Sequence, residues 1–398
     1  MNHNVLQIPG FSFASCAAGI RKAGKLDLAL IYSATPAVCA GVFTTNKVVA
    51  APLVVSRPRI AGGRCQAILI NSGNANACTG EQGVTDARRC GALTAAALGI
   101  DEELVAVSST GVIGVPLPIQ CFEQKIPQLP EMLSADGAQQ AAEAIMTTDS
   151  FAKTAIRHGQ IGTHPYRLVA LAKGAGMIHP DMATMLGFVM TDIAIEATTL
   201  QYLLRAAVDR TFNCISVDGD TSTNDMVIAL ANGQAGNELF TLDTPAAQQF
   251  GELLEDLLLE LAKMIVRDGE GATKLVRINV TGAASAADAR LVAKSVATSS
   301  LVKTAFFGQD ANWGRIIAAA GYSGAQLDPD QITIFFNAVP VVRHGISTGP
   351  ELEAEATAVL QTAEFDVNIE LSLGAGQAVY YTSDLTFDYV KINADYRT

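Results

Sequence analysis

Residues 173–192, KGAGMIHPDMATMLGFVMTD, constrain this chain more than any other stretch. A glycine-containing turn (Gly174, Gly176) passes through His179-Pro180-Asp181 into an apolar run from Met182 to Met190, interrupted by one hydroxyl, Thr184. Short runs of Met, Leu, Phe and Val are the pattern of a buried strand, and a threonine inside one is usually a core residue. Chemistry permits a sharper reading. If the Ala183–Thr184 peptide bond is held strained, the Thr184 hydroxyl can attack the carbonyl before it, and hydrolysis of the ester leaves Thr184 as a new N-terminus. Its α-amino group, with an ordinary pKa of about 7.7–8.0, then supplies the base that a weak hydroxyl nucleophile needs. Upstream glycines give the tight backbone such a step requires.

The totals narrow the class. A length of 398 residues suggests two or three domains. Hydrophobic residues make up 49% and charged residues only 17%, which fits a chain with a large buried core and not a disordered one. A net charge of −12 makes nucleic acid and anionic membranes poor partners. No apolar run approaches the ~18 residues of a membrane span, and MNHNVLQIPGFSF lacks the basic region and apolar core of a secretory signal. Seven cysteines, an odd number without a CxxC pair, point to reduced thiols in a cytosolic compartment. The five histidines lack zinc-ligand spacing, so no metal is expected.

In chain order, residues 26–32, 38–44, 53–56, 66–70 and 105–107 read as strands. The turn NSGNAN (71–76) leads to a helix that Thr79 and Gln82 can open in capping-box spacing and Gly99 can close. After 105–107 comes SSTGVIG (108–114), ordinary turn material or, with the Gly111 N–H and a Thr110 donor, an oxyanion hole. A helix over 134–146 ends in Thr147-Thr148-Asp149, and strand 167–172 delivers Lys173, either solvated or a partner for a substrate carboxylate. Helices over 197–212 and 244–266 flank DGDTSTND (218–225), whose three acids do not fit an EF-hand and are read as a hydrogen-bonded loop. DGEGATK (268–274) fails the phosphate-loop pattern and suits a glycine-capped helix end. Composition resets after 275: strand 275–280, a small-residue linker over 281–286, then strands 331–336 and 365–373 around a helix over 351–362. A domain boundary at residue 280 follows, dividing the chain into 1–280 and 281–398.

GMIHPDMATMLGF resembles the self-cleavage site of the ornithine acetyltransferase family, the glutamate N-acetyltransferases of arginine biosynthesis. Gly19-Ile20-Arg21, STGVIG, TTD, DGEGATK and INADY resemble further strings of that family, spread along nearly the whole chain. The resemblance implies cleavage between Ala183 and Thr184 into chains 1–183 and 184–398, with Thr184 as nucleophile and Thr110 and Gly111 as oxyanion hole. It implies substrate contacts from Thr147 (or its neighbour Thr148), Lys173, Thr184, Glu270, Asn393 and Thr398. The implied reaction moves acetyl from N2-acetylornithine to glutamate by double displacement, without cofactor or metal; acetyl-CoA as a second donor is left open by the motifs. The implied assembly is α2β2 in the cytoplasm, without nucleic-acid or membrane partners. The implied fold is α/β: a layered α-β-β-α sandwich similar in outline to N-terminal nucleophile hydrolases but differently connected, with a smaller C-terminal α/β domain whose tail returns to the active site. Two other readings stand beside it. A self-processing aminopeptidase or amidase would hydrolyse instead of transfer, and an amino-acid-binding protein with Thr184 in its core would keep its chain intact.

Overall fold

The computed structural model describes residues 6–21, 24–179 and 185–395. Three expected site residues, Ala183, Thr184 and Thr398, lie outside the described residues. The first strands are β1 (Phe11–Cys16), β2 (Leu28–Phe43), β3 (Arg64–Asn74), β4 (Val105–Val112), β5 (Lys153–Ile161), β6 (His164–Lys173) and β7 (Leu186–Thr191). A two-residue β8 (Ile215–Ser216) precedes β9 (Met226–Ala231). All of these except β8 join one eight-stranded sheet, ordered β4-β3-β2-β9-β7-β6-β5 with β1 alongside β2.

The long β2 sets the architecture. Its first half pairs with β1 and β3, its second half with β9, and the register against β3 shifts between Tyr32 and Ala37. Such an irregularity bends a strand and sharpens its twist, so the sheet folds over into two lobes. Alternation along each strand then fills three cores. Ala29, Ile31, Ile68 and Ile70 of one lobe face Val169, Leu171, Phe188 and Ile228 of the other. Outward, Leu28, Leu30, Leu69 and Val107 meet Ala87 and Cys90 of the helix Gly80–Leu98. On the opposite side Leu168, Ala170, Val189 and Val227 meet the helices Ala197–Arg210 and Pro245–Arg267. The layers are therefore helix, sheet, sheet, helix. This is the expected sandwich, built from one continuous folded sheet in place of two separate ones. The helix Pro245–Arg267 buries Phe250, Leu254, Leu257, Leu258, Leu261 and Ile265 on a single stripe, each contributing roughly 1.5–3 kcal/mol of burial.

The second sheet has seven strands: β10 (Leu275–Ala283), β11 (Thr333–Phe336), β12 (Val339–Arg343), β13 (Ile346–Ser347), β14 (Glu364–Glu370) and β15 (Gly376–Ser383), with β8 at its edge. One face packs Val276, Ile278, Val280 and Val367 against three helices between Ala286 and Gly321. The other face carries pairs such as Arg277–Asp366 at 2.5 Å and Asn279–Asn368 at 3.2 Å. Because β10 is an interior strand of this sheet, a boundary at residue 280 would cut it, and the expected linker over 281–286 is strand end and helix start.

Two local expectations are corrected. Residues 53–56 belong to the helix Ala51–Ala61, not to a strand. Pro52 supplies the fixed φ that suits a first helical turn, and a four-residue apolar run carries no period to separate the two. The capping box at Thr79 does not form: the Thr79 hydroxyl donates to Asn76 Oδ1 at 2.8 Å, and Gln82 reaches Asp86. The helix does end on Gly99, at φ 66°. All seven cysteines are free thiols. Among the described residues no helix is long and apolar enough to cross a membrane.

Candidate active site

Several strand and helix ends converge on one cavity. Thr110 and Gly111 come from the end of β4, Thr147 and Thr148 from the turn after the helix Ala138–Ala144, and Lys173 from the last position of β6. Glu270 follows the helix Pro245–Arg267, and the helix Phe387–Asp395 contributes Tyr389 and Asn393. The cavity thus collects every expected site residue that the structure describes, with Thr148 beside Thr147. Met185 and Leu186, the first described residues after position 184, line it too.

The Lys173 ammonium donates to the Thr110 hydroxyl at 3.3 Å. That hydroxyl keeps its own proton free to donate, so cation and hydroxyl present two donors side by side. Burial draws Lys173 below the usual lysine range, while the carboxylates of Asp149, Asp225 and Glu270 pull the other way. Across the cavity, Asn393 Nδ2 donates to Glu270 Oε2 at 2.8 Å, and the Glu270 N–H reaches the Ala175 carbonyl at 2.9 Å. A cation at one wall and a carboxylate at another suit a ligand carrying both charges.

A buried ion cluster holds these parts together. Lys153, wholly buried, donates to Asp149 at 2.7 Å and to Asp268 at 2.5 Å. Asp149 also accepts the Thr147 N–H at 2.9 Å and the Gly174 N–H at 2.7 Å, and Asp268 accepts the Ser150 N–H at 3.0 Å. Thus one ammonium ties the Thr147 turn, the start of the 173–192 stretch and the approach to Glu270. Burial alone would raise Asp149, but Lys173, Lys153 and these hydrogen bonds outweigh it and hold it at about 2. From a separate direction, Arg21 clamps the Met146 and Thr147 carbonyls at 2.6 and 2.9 Å. The sequence reading singled out none of Lys153, Asp268 or Asp149 for a role. Their signal was a pair of charges four residues apart and a third in a distant segment, which is also the pattern of solvated residues.

The acidic stretch 218–225 is a hydrogen-bonded loop, as expected. Asp218 accepts the N–H groups of Met177 and Ile178 at 2.6 and 2.8 Å, and Thr221 donates to the His179 carbonyl at 3.0 Å. This loop fixes the chain up to position 179. Burial raises Asp218 above the ordinary carboxylate range.

Gly111 has no room for a side chain. At φ 134°, a Cβ would stand 2.4 Å from the Gly73 carbonyl carbon and 2.6 Å from the Asn74 nitrogen, both backbone atoms of the paired β3. At Gly176 a Cβ would instead meet the Glu270 carboxylate at 2.4–2.5 Å, the movable end of a side chain. Gly111→Ala is therefore expected to destabilise the fold by roughly 1–3 kcal/mol, and Gly176→Ala by clearly less. Urea-unfolding midpoints compare them directly; equal losses would show that β3 and β4 yield as easily as a side chain.

Fold and cavity together define a layered α/β protein with a charge-lined site for a small zwitterionic molecule. The chain belongs to the ArgJ family, whose model matches residues 12–398. It is 64% identical to the arginine biosynthesis bifunctional protein ArgJ of Syntrophotalea carbinolica, over 99% of this chain and 100% of that one. It is 53% identical to the protein of the same name from Geobacter sulfurreducens, again over 99% and 100%. Among solved structures, the arginine biosynthesis bifunctional protein ArgJ of Bacillus halodurans matches with a TM-score of 0.51 and 47% identity, covering 52% of this chain and 98% of that chain.

Proposed function

We propose that this protein is a self-processing glutamate N-acetyltransferase of arginine biosynthesis, moving acetyl from N2-acetylornithine to glutamate. The observation that carries the reading is the 64% identity, end to end, with a bifunctional arginine-biosynthesis protein. Thr184 is exposed as an N-terminus by cleavage after Ala183 and attacks the acetyl carbonyl, its own amine taking the hydroxyl proton. Thr110 and Gly111 receive the developing oxyanion. Ornithine departs, and the glutamate amine takes the acetyl group from Thr184. Lys173 faces the substrate carboxylate and Glu270, steadied by Asn393, its ammonium; Thr147 and Thr398 complete the pocket. Acetyl-CoA serves as a second acetyl donor, no cofactor is used, and the cleaved chains assemble as α2β2 in the cytoplasm.

The solved Bacillus halodurans chain supports processing. Nearly all of it, 98%, corresponds to only 52% of this chain, and a chain from 184 to 398 would be 215 of 398 residues, or 54%. The buried cation supports transfer to an amino acid, since acceptor selection needs a fixed charge in a site that limits water.

The test is the mass of the purified protein before and after N2-acetylornithine is added. The expected result is two chains of 183 and 215 residues, with a gain of ~42 Da on the larger one from the acetyl ester, lost when glutamate follows. Two chains that release acetate to water would favour the amidase reading, and one intact, unmodified chain would remove Thr184 from the mechanism.

A further inference from the structure

Amino acids enter and leave this site as ammonium ions yet react as neutral amines, so each half-reaction needs a place to hold one proton. The groups assigned so far have tasks already: Lys173 donates to Thr110, Glu270 accepts from Asn393, and the mechanism proposed above gives the Thr184 amine the hydroxyl proton. Asp225 is not. It is 3% exposed, it lines the same cavity, and its Oδ2 has no hydrogen-bond partner among the described residues. It stands at the entry of β9, where Met226 lies beside Leu186 at the entry of the parallel β7. The Met185 N–H is directed to its carboxyl, so Asp225 adjoins the residue that directly follows position 184.

We propose that Asp225 is the proton acceptor for the amine that attacks the acetyl-enzyme, and the proton donor to the amine that leaves in the other half-reaction. This rests on the acetyl-transfer reading above. When acetylornithine donates, the Thr184 hydroxyl proton reaches the departing nitrogen, giving a neutral amine. The Asp225 carboxyl then supplies a second proton, and ornithine leaves as an ammonium. Glutamate brings that proton back: its ammonium yields one proton to the Asp225 carboxylate, the neutral amine forms the amide bond, and the second proton it sheds passes to the Thr184 oxygen as the ester bond breaks. The cycle closes with no net gain or loss of protons.

The surroundings suit the task. Lys173 faces Asp225 from β6, Asp218 and Asp220 share its loop, Glu270 faces the cavity from the long helix, and Tyr389 from the last helix. Burial pushes the Asp225 carboxyl well above the usual carboxylate range, with Ser222 and Lys173 drawing it back. A carboxyl so placed can exchange a proton with an amine near neutral pH.

The test separates acceptors by their protonation. Asp225→Asn keeps the size and can still accept the Met185 N–H, but it cannot take a proton. Deacetylation of the acetyl-enzyme is measured with glutamate and with hydroxylamine, which is already a neutral amine at neutral pH. The expected result is a loss of about 10²-fold or more with glutamate and little change with hydroxylamine. Equal losses would indicate a purely structural role and overturn the proposal, as would wild-type rates with both. If the Asn variant neither cleaves nor melts cooperatively, Ser222→Ala carries the test. It removes a hydrogen bond that favours the carboxylate, so the acid limb of kcat/KM for glutamate should move to higher pH; an unmoved limb overturns the proposal. A wild-type protein that transfers acetyl to neither acceptor would instead sink the acetyltransferase reading, and this inference with it.

Discussion

Thr184→Ala protein should run as a single chain of 398 residues, 41.6 kDa, and take up no acetyl group from N2-acetylornithine. One substitution removes both the hydroxyl that attacks the Ala183 carbonyl and the group that would carry the acetyl. Because the α-amine becomes available only through cleavage, nucleophile and base are lost together. Groups that act as a unit lose activity steeply, and a fall of about 10⁴-fold or more in transfer is expected. Thr184→Ser restores a hydroxyl and should cleave, more slowly or faster, while retaining measurable transfer. Intact-mass spectrometry and a steady-state transfer assay report on the two steps separately. An alanine variant that still splits at this position would place the cleavage chemistry elsewhere.

Lys153→Met is expected to be the most destabilising change away from the cavity lining. The ammonium is fully buried between Asp149 and Asp268, and methionine leaves two buried carboxylates facing each other without it. Removing one partner from a buried ion cluster costs about 3–5 kcal/mol, visible as a lowered urea midpoint. The pH dependence has a definite sign. Asp149 titrates at about 2 in the folded protein against 3.8 ordinarily. A depressed carboxylate stabilises the fold fully above its unfolded pKa and loses that contribution as pH falls through the folded value. With Lys153 gone the folded value rises, so the variant should unfold in acid at a higher pH than the wild type. Coincident acid transitions would mean that Lys173 and the backbone donors hold Asp149 without help.

How much of this was readable in the chain depends on whether the information was local. The β6–turn–β7 stretch, the STGVIG strand end and the helix Pro245–Arg267 announce themselves through apolar periodicity and glycine placement, and Thr110, Gly111, Lys173 and Glu270 could be singled out within them because their local strings resemble those of the ornithine acetyltransferase family. The Lys153 cluster could not. Lys153 and Asp268 are 115 positions apart in sequence, and nothing adjacent to Lys153, Asp149 or Asp268 distinguishes them from solvated charges. Asp225 was passed over for a related reason: among Asp218, Asp220 and Asp225, only the fold decides which carboxyl is spent on backbone amides and which keeps an oxygen free. At 53–56, four apolar residues held no period, and Pro52 at the first helical turn outweighed their β propensity.

The placing of β7 and β9 in the first sheet has a consequence for the life of the molecule. These two strands lie between β2 and β6, so a chain cut between positions 183 and 184 has its second piece threaded through the middle of the first. While the chain is whole, that arrangement forms within one molecule. Once cut, it could form again only by two fragments finding each other, at a rate set by their concentration. The working enzyme would then endure by the slowness of its unfolding and not by reversible folding. Heat or denaturant would act on it as a ratchet, each excursion discarding a molecule that its uncut precursor would have survived.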